Sequence, residues 1–237
     1  MSAIVPERAV IDWDRTARTG LPEAVYAEGK SREQIVDILL QARQVGKPLL
    51  ITLFAAECVA ELPAELQAEL DYDERSRTAF FGAVPATRPS GIMIVAAGLS
   101  DMPVVGEAAR TLAFCGVGCE IVADVGVAGL WRLLERVEEI RAARLIIAVA
   151  GMEGALFSVL AGLVPAPIIA VPTSVGRGVA QGGQVALHSA LASCAPGLVC
   201  VNVDNGFGAA QAALRMSVAW RQRDTNALVQ THPIQAQ

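Results

Sequence analysis

The chain has 237 residues and a formal net charge of −5, from 19 basic and 24 acidic side chains, and 53% of its residues are hydrophobic. A chain this apolar can bury a sizeable core, which excludes wholesale disorder, and its charge excludes the broad basic surface of a nucleic-acid binder. The length suits one large domain with a smaller unit, and the expected partners are small molecules, with neither nucleic acid nor membrane.

Five cysteines, an odd number, read as free thiols. The amino-terminal stretch MSAIVPERAVIDWD carries charges where a signal peptide needs an apolar run, so the expected location is cytoplasmic. His188 and His232, with no C-x2-C pair, do not make a structural zinc site.

Residues 1–90 carry 14 acidic and 10 basic side chains and form the smaller unit, of α+β type. SREQIVDILLQARQ (31–44) has helical periodicity and opens on a capping pair, Ser31 and Gln34. PLLITLFA (48–55) predicts a strand, and ECVAELPAELQAELD (57–71) a polar helix interrupted at Pro63. VPATRPSG (84–91) reads as a linker.

From Gly91 onward a short apolar run repeatedly gives way to a stretch able to form a helix. The runs are GIMIVAAG (91–98), CEIVADVG (119–126), RLIIAVAG (144–151), PIIAVPTS (167–174) and LVCVNVDN (198–205). Continuous rather than alternating apolar strands, separated by helices, mean a parallel sheet covered on both faces. The fold class is therefore α/β, a doubly wound parallel sheet over 91–220, followed by a polar tail at 221–237. Between Leu145 and Leu214 the charges are Glu153, Arg177 and Asp204 alone. The apolar stretches around them could mimic membrane spans, but Pro165, Pro167, Pro172, Pro196 and repeated glycines cut them short, so a buried core or an oligomer interface is expected.

Ligands of such sheets bind at the carboxyl ends of the strands. In GLSDMPVVGEAA, Gly98, Ser100 and Asp101 sit at a strand-to-helix turn, where they either hold a phosphate or cap the helix. PTSVGRG offers Thr173, Ser174 and Gly176 with Arg177, a cation suited to a phosphate or carboxylate unless it is a plain surface arginine. Glu153, among glycines and alanines, is either a ligand-site carboxylate or a first-turn helix residue. Asp124 and Asp204, the latter followed by Asn205, end strands; each is a base, a metal ligand or a cap. Cys194, in ALASCAPG before a Pro-Gly turn, is either a nucleophile or a small apolar residue, whereas Cys200 reads as strand core.

GLSDMPVVGEAA, RLIIAVAGMEGALFSVLAGL, PAPIIAVPTSV and NGFGAAQAAL together resemble the PurE carboxylase/mutase family of purine biosynthesis. That family's loop after the third strand carries a catalytic histidine, and this chain has Ala155 there. DVGVAG, VAGMEGAL, VPTSVG, SCAPG, VNVDNGFGA and the amino-terminal DRTARTGLPEAVYAEGK resemble the PurE-related LarB family of nickel-pincer nucleotide cofactor biosynthesis, with Trp131 standing where that resemblance implies a histidine. The resemblance implies carboxylation of the pyridinium ring of nicotinic acid adenine dinucleotide with CO2 or bicarbonate. It also implies hydrolysis of the phosphoanhydride, giving pyridinium-3,5-biscarboxylic acid mononucleotide and AMP. Cys194 would be the nucleophile and Glu153 or Asp124 the base. Gly98, Ser100, Asp101, Thr173, Ser174, Gly176, Arg177, Asp204 and Asn205 would hold the nucleotide, with Mg2+ bridging the pyrophosphate. The PurE resemblance also implies a homo-octamer. Two other readings stand beside it: a PurE-type aminoimidazole ribonucleotide carboxylase or mutase, and a non-catalytic nucleotide-binding protein.

Overall fold

The computed structural model describes residues 9–230, and it holds two sheets joined in one chain. The first has four strands, β1 (Ala24–Tyr26), β2 (Leu49–Thr52), β3 (Leu70–Asp73) and β4 (Thr78–Phe81), in the order β1-β2-β4-β3. β1 and β2 are parallel and the other pairs antiparallel. Helices α1 (Arg15–Thr19), α2 (Arg32–Val45), α3 (Ala56–Ala60) and α4 (Ala64–Gln67) belong to this unit. The Ser31 hydroxyl accepts from the Gln34 backbone N–H while the Gln34 side chain accepts from the Ser31 N–H, so the predicted cap sets the start of α2. Pro63 divides α3 from α4 as expected, and the end of that stretch turns into β3.

Side chains alternate across a strand, and β2 and β4 are apolar on both faces because both are covered. Leu49, Ile51, Ala79 and Phe81 meet Ile35, Ile38 and Leu39 of α2. Leu50 and Phe80 face the other way, against Phe114 and Phe207 of the larger unit.

The larger unit contains β5 (Arg88–Ala96), β6 (Val117–Val122), β7 (Leu145–Ala150), β8 (Ile168–Pro172) and β9 (Leu198–Cys200), all parallel, in the order β6-β5-β7-β8-β9. Its helices are α5 (Met102–Phe114), α6 (Leu130–Glu135), α7 (Val137–Arg141), α8 (Ala155–Leu163), α9 (Gln184–Leu191) and α10 (Gly206–Gln230). Ile94, Ile147, Val149 and Val171 point to α5 and α10, where they bury Leu112, Ala209 and Ala213. Met93, Ile146, Ala148 and Ala170 point to the opposite layer, onto Leu133, Phe157, Leu160 and Ala186. Each fully buried Leu, Ile or Phe contributes about 1.5–3 kcal/mol, so the two apolar layers fix which strand lies where.

The sheet differs from the sequence expectation at its ends. β5 begins at Arg88, inside the expected linker, because Arg88 pairs with Val117 before the register shifts toward Ile92. β9 is confined to Leu198–Cys200, since the chain beyond it turns into a loop. The tail expected from 221 starts inside α10, whose backbone runs on to Gln230, and 231–237, with His232, lie outside the described residues. The two units are locked at α5: the Arg110 guanidinium lies 4.0 Å from the Phe80 ring centroid and donates to the Asp71 carbonyl at 2.6 Å. No helix among the described residues is long and apolar enough to cross a membrane.

Candidate functional site

The loops following β5, β6, β7, β8 and β9 meet at one edge of the sheet, the carboxyl edge. Asp101 ties two of them together. It is 3% exposed, one oxygen accepts the Gly98 N–H at 3.0 Å, and the other accepts the Thr173 hydroxyl at 2.6 Å. Burial pushes its carboxyl above the usual carboxylate range, against the lowering effect of those two bonds. Asp101 and Thr173 thus act as a strut between loops. Both Asp101 oxygens and the Thr173 proton are engaged within the protein, so neither is set out as a phosphate donor.

A second clamp joins the loops after β8 and β9. The Ser174 N–H donates to Asp204 Oδ1 at 2.8 Å, and the Asp204 N–H donates to the Pro172 carbonyl at 2.8 Å. Asn205 accepts the Gly208 N–H at 2.7 Å and so caps α10. The loop after β7 is drawn in by the Met152 N–H, which donates to the Val175 carbonyl at 2.7 Å. Gly151 permits this approach: a Cβ there would sit 2.2 Å from the Val175 oxygen. Gly176 plays the same part in its own loop, where a Cβ would meet the Ala180 oxygen at 2.3 Å.

These loops enclose a cavity of about 480 Å³, with Gly98, Ser100, Asp124, Gly151 and Glu153 in its lining. Asp124 pairs with Arg132 at 2.7 Å, which places one guanidinium at the cavity wall. Glu153 is exposed there and makes no hydrogen bond or ion pair within the described residues. A smaller cavity of about 170 Å³ adjoins it, with Ser100, Glu107, Ser174, Asp204 and Arg77 in its walls.

Two predicted residues lie elsewhere in the protomer. Arg177 stands on an exposed stretch and lines neither cavity. Cys194 is exposed in the loop before β9, at the amino edge of the sheet. The carbonyl of nearby Gly197 accepts the N–H of Ile168, the first residue of β8, whereas the site begins after Pro172, roughly 13 Å further along that strand. Cys119 and Cys200 are raised by burial, Cys119 to about 11, which leaves them poor thiolates.

Glu107, Arg132 and Arg77 escaped the sequence reading. Glu107 is 5% exposed on α5, accepts the Phe207 N–H at 3.0 Å, and is pushed up to about 7, chiefly by burial. Its signal was present, since Glu107 shares a face of α5 with buried Thr111 and Phe114, a place where a carboxyl needs a reason. No signal near Arg77 marked it out. Among the described residues no group of three histidine, cysteine, aspartate or glutamate side chains could hold a metal ion by itself. A magnesium ion bridging a pyrophosphate would take most of its ligands from the phosphates and water, with Glu153 as the unpaired carboxylate in the cavity lining.

Residues 6–83 match the LarB/PurE-like N-terminal domain, and residues 91–235 match the AIR carboxylase domain. An uncharacterized protein of Methanocaldococcus jannaschii is 35% identical over 215 residues, which is 86% of this chain and 82% of its own. Two crystal structures of Treponema denticola PurE, one a single-site variant, cover 60% and 61% of this chain and 96% of their own. Their identities are 19% and 20%, with TM-scores of 0.46 and 0.44.

Proposed function

Since the chain belongs to the LarB family, related to PurE, we propose that it carboxylates the pyridinium ring of nicotinic acid adenine dinucleotide with CO2 and hydrolyses the phosphoanhydride. The products are pyridinium-3,5-biscarboxylic acid mononucleotide and AMP. The observation that carries this reading is the lining of the larger cavity. It has three carboxylates, Asp101, which is tied up in the strut to Thr173, and Asp124 and Glu153, and it has Ala155 where purine-type chemistry would need a histidine. The described histidine, His188, stands exposed on α9 instead.

The chemistry follows from the electron demand of the ring. A pyridinium is electron-poor and does not attack CO2. A thiolate adds to a ring carbon, the displaced π pair moves onto the ring nitrogen, and the neutral ring now has an enamine-like carbon that forms a C–C bond with CO2. A base takes the proton from that carbon, the restored enamine expels the thiolate, and the aromatic cation returns. Water attacking the phosphoanhydride releases AMP. Glu153, unpaired at the cavity, suits the base; Asp124, already paired with Arg132, suits positioning of the ring's positive charge. Ser100 and Ser174, exposed at the mouth, offer hydroxyls to the phosphates.

Cys194 is the thiolate in this scheme. Its neighbour Ser193 meets Ser158 of α8 at 2.8 Å, one turn from Ala155 in the cavity lining, so the loop that carries Cys194 stands beside α8 and outside the cavity of its own protomer, and assembly with another copy is the step that completes the site in this scheme. Intact-mass and product analysis of wild type and the five single Cys→Ser variants, after incubation with the dinucleotide and bicarbonate, tests this. Cys194→Ser is expected to abolish carboxylation while retaining fold and nucleotide binding. Glu153→Gln is expected to be slow yet to accumulate the ring adduct, since adduct formation precedes proton removal. Full activity in Cys194→Ser would sink the mechanism.

A further inference from the structure

The cavities around the site form one continuous cleft. The larger one shares Ser100 and Val175 with the smaller, and the smaller shares Leu53 and Arg77 with a third cavity of about 180 Å³ inside the amino-terminal unit. The strained backbone of the protein follows the same line. Five non-glycine described residues have left-handed φ, namely Leu53, Arg77, Asp124, Met152 and Asp204, and all five line this cleft. A non-glycine residue held there costs on the order of 1 kcal/mol or more and persists where the surroundings over-determine it, which concentrates such residues at ligand sites. Leu53 and Arg77 form the neck between the second and third cavities, and the Phe54 N–H donates to the Arg77 carbonyl at 2.8 Å to hold it.

The third cavity is cationic in a chain that is acidic overall. Lys30, Arg32 and Arg77 line it, and none is paired with a carboxylate among the described residues. Lys30 and Arg32 instead donate to the carbonyls of Tyr26, at 2.8 Å, and Glu61, at 2.6 Å. The cavity's two acids are Glu28, which accepts from the Tyr26 hydroxyl, and Glu61, so the three cations leave a net positive charge. Ile35, Leu53 and Phe54 supply an apolar wall. The motif that ends in Glu28, Gly29 and Lys30, which the chemistry of the first cavity leaves unused, lies on this wall.

We propose that the amino-terminal unit is the second half of the binding site. Its cavity takes the nucleoside monophosphate half of a dinucleotide, Arg77 at the neck meets the linking phosphates, and the reacting ring occupies the cavity at the carboxyl edge. This rests on the reading above for the identity of the ring. The occupant is a nucleotide because Arg77 stands unpaired at the neck between two cavities, Lys30 and Arg32 line the outer one, and the inner one offers hydroxyls at Ser100 and Ser174. A charge-assisted contact to phosphate is the bond this neck can make.

Calorimetry on the full chain, with AMP, with nicotinic acid mononucleotide and with the intact dinucleotide, tests it. The two mononucleotides are expected to bind together without competing. Arg32→Glu, at an exposed position, should lower AMP affinity about 10- to 100-fold and leave that of the mononucleotide within about twofold. Arg77→Gly should lower dinucleotide affinity by a similar factor without lowering the thermal midpoint, because glycine relieves the left-handed backbone. A purely structural Arg77 would give the opposite pattern. AMP displacing the mononucleotide, or unchanged affinities in both variants, overturns the proposal. A dinucleotide that shows these signatures and is never carboxylated refutes the reaction while leaving the cleft assigned; carboxylation with unchanged affinities does the reverse.

Discussion

Glu107 gives the protein a pH-dependent liability that a single isosteric change should remove. Its carboxyl is buried on α5, where Oε2 accepts the Phe207 N–H at the start of α10. Burial outweighs that bond and a second from Gly206, so the group rises from its ordinary 4.5 to about 7. A carboxyl with a raised folded-state pKa binds its proton more tightly when folded. Its contribution to stability is therefore complete below pH 4.5 and is lost as pH climbs to about 7. The whole span corresponds to about 3 kcal/mol, of which about 2 kcal/mol falls above pH 5.5. Glu107→Gln keeps an oxygen for the α10 amides and carries no charge to desolvate. Relative to wild type, the variant should gain about 2 kcal/mol between pH 5.5 and 8.5, or about 4 to 8 °C in thermal midpoint for a chain of this size. Urea unfolding of both proteins at the two pH values isolates this effect, because every other titrating group cancels in the difference. A variant equally destabilised at both pH values would refute the reasoning and show that the carboxylate's bond to α10 outweighs its burial.

Gly151→Ala would thrust a methyl group to within 2.2 Å of the Val175 oxygen and 2.7 Å of Thr173 Oγ1. We expect a loss of about 1–3 kcal/mol and of dinucleotide binding, read by unfolding and calorimetry; an unperturbed protein would mean that these loops move freely. We also expect a homo-oligomer. Ile121 on edge strand β6, Val199 on edge strand β9, Trp131 and Leu134 on α6, and Leu191 on α9 are left between 43% and 68% exposed, a surface that a second copy would cover. Light scattering that returned a monomer mass at micromolar concentration would end this expectation, and with it the delivery of Cys194 between copies.

The order of strands and helices was written locally. Ser31 and Gln34 announce the start of α2, and Pro63 breaks the following helix, because capping and backbone geometry depend on residues three or four apart. The unbroken apolar runs from Ile92 to Val171 announce a sheet covered twice, since nothing else keeps both faces of a strand dry. From that architecture the carboxyl edge follows as the place of the site. What each side chain does there does not follow. Asp101 and Thr173 are 72 residues apart, and their bond turns two expected phosphate donors into a strut. Glu107 meets the start of α10 across 100 residues, and Arg77 comes from the other unit altogether. Cys194 precedes β9 and Asp204 follows it, so ten residues apart in sequence they flank opposite ends of one strand, because a parallel strand separates the loop that enters it from the loop that leaves it. Secondary structure is set by neighbours along the chain; the partner of a buried polar group is set by packing, and only the folded molecule brings the two together.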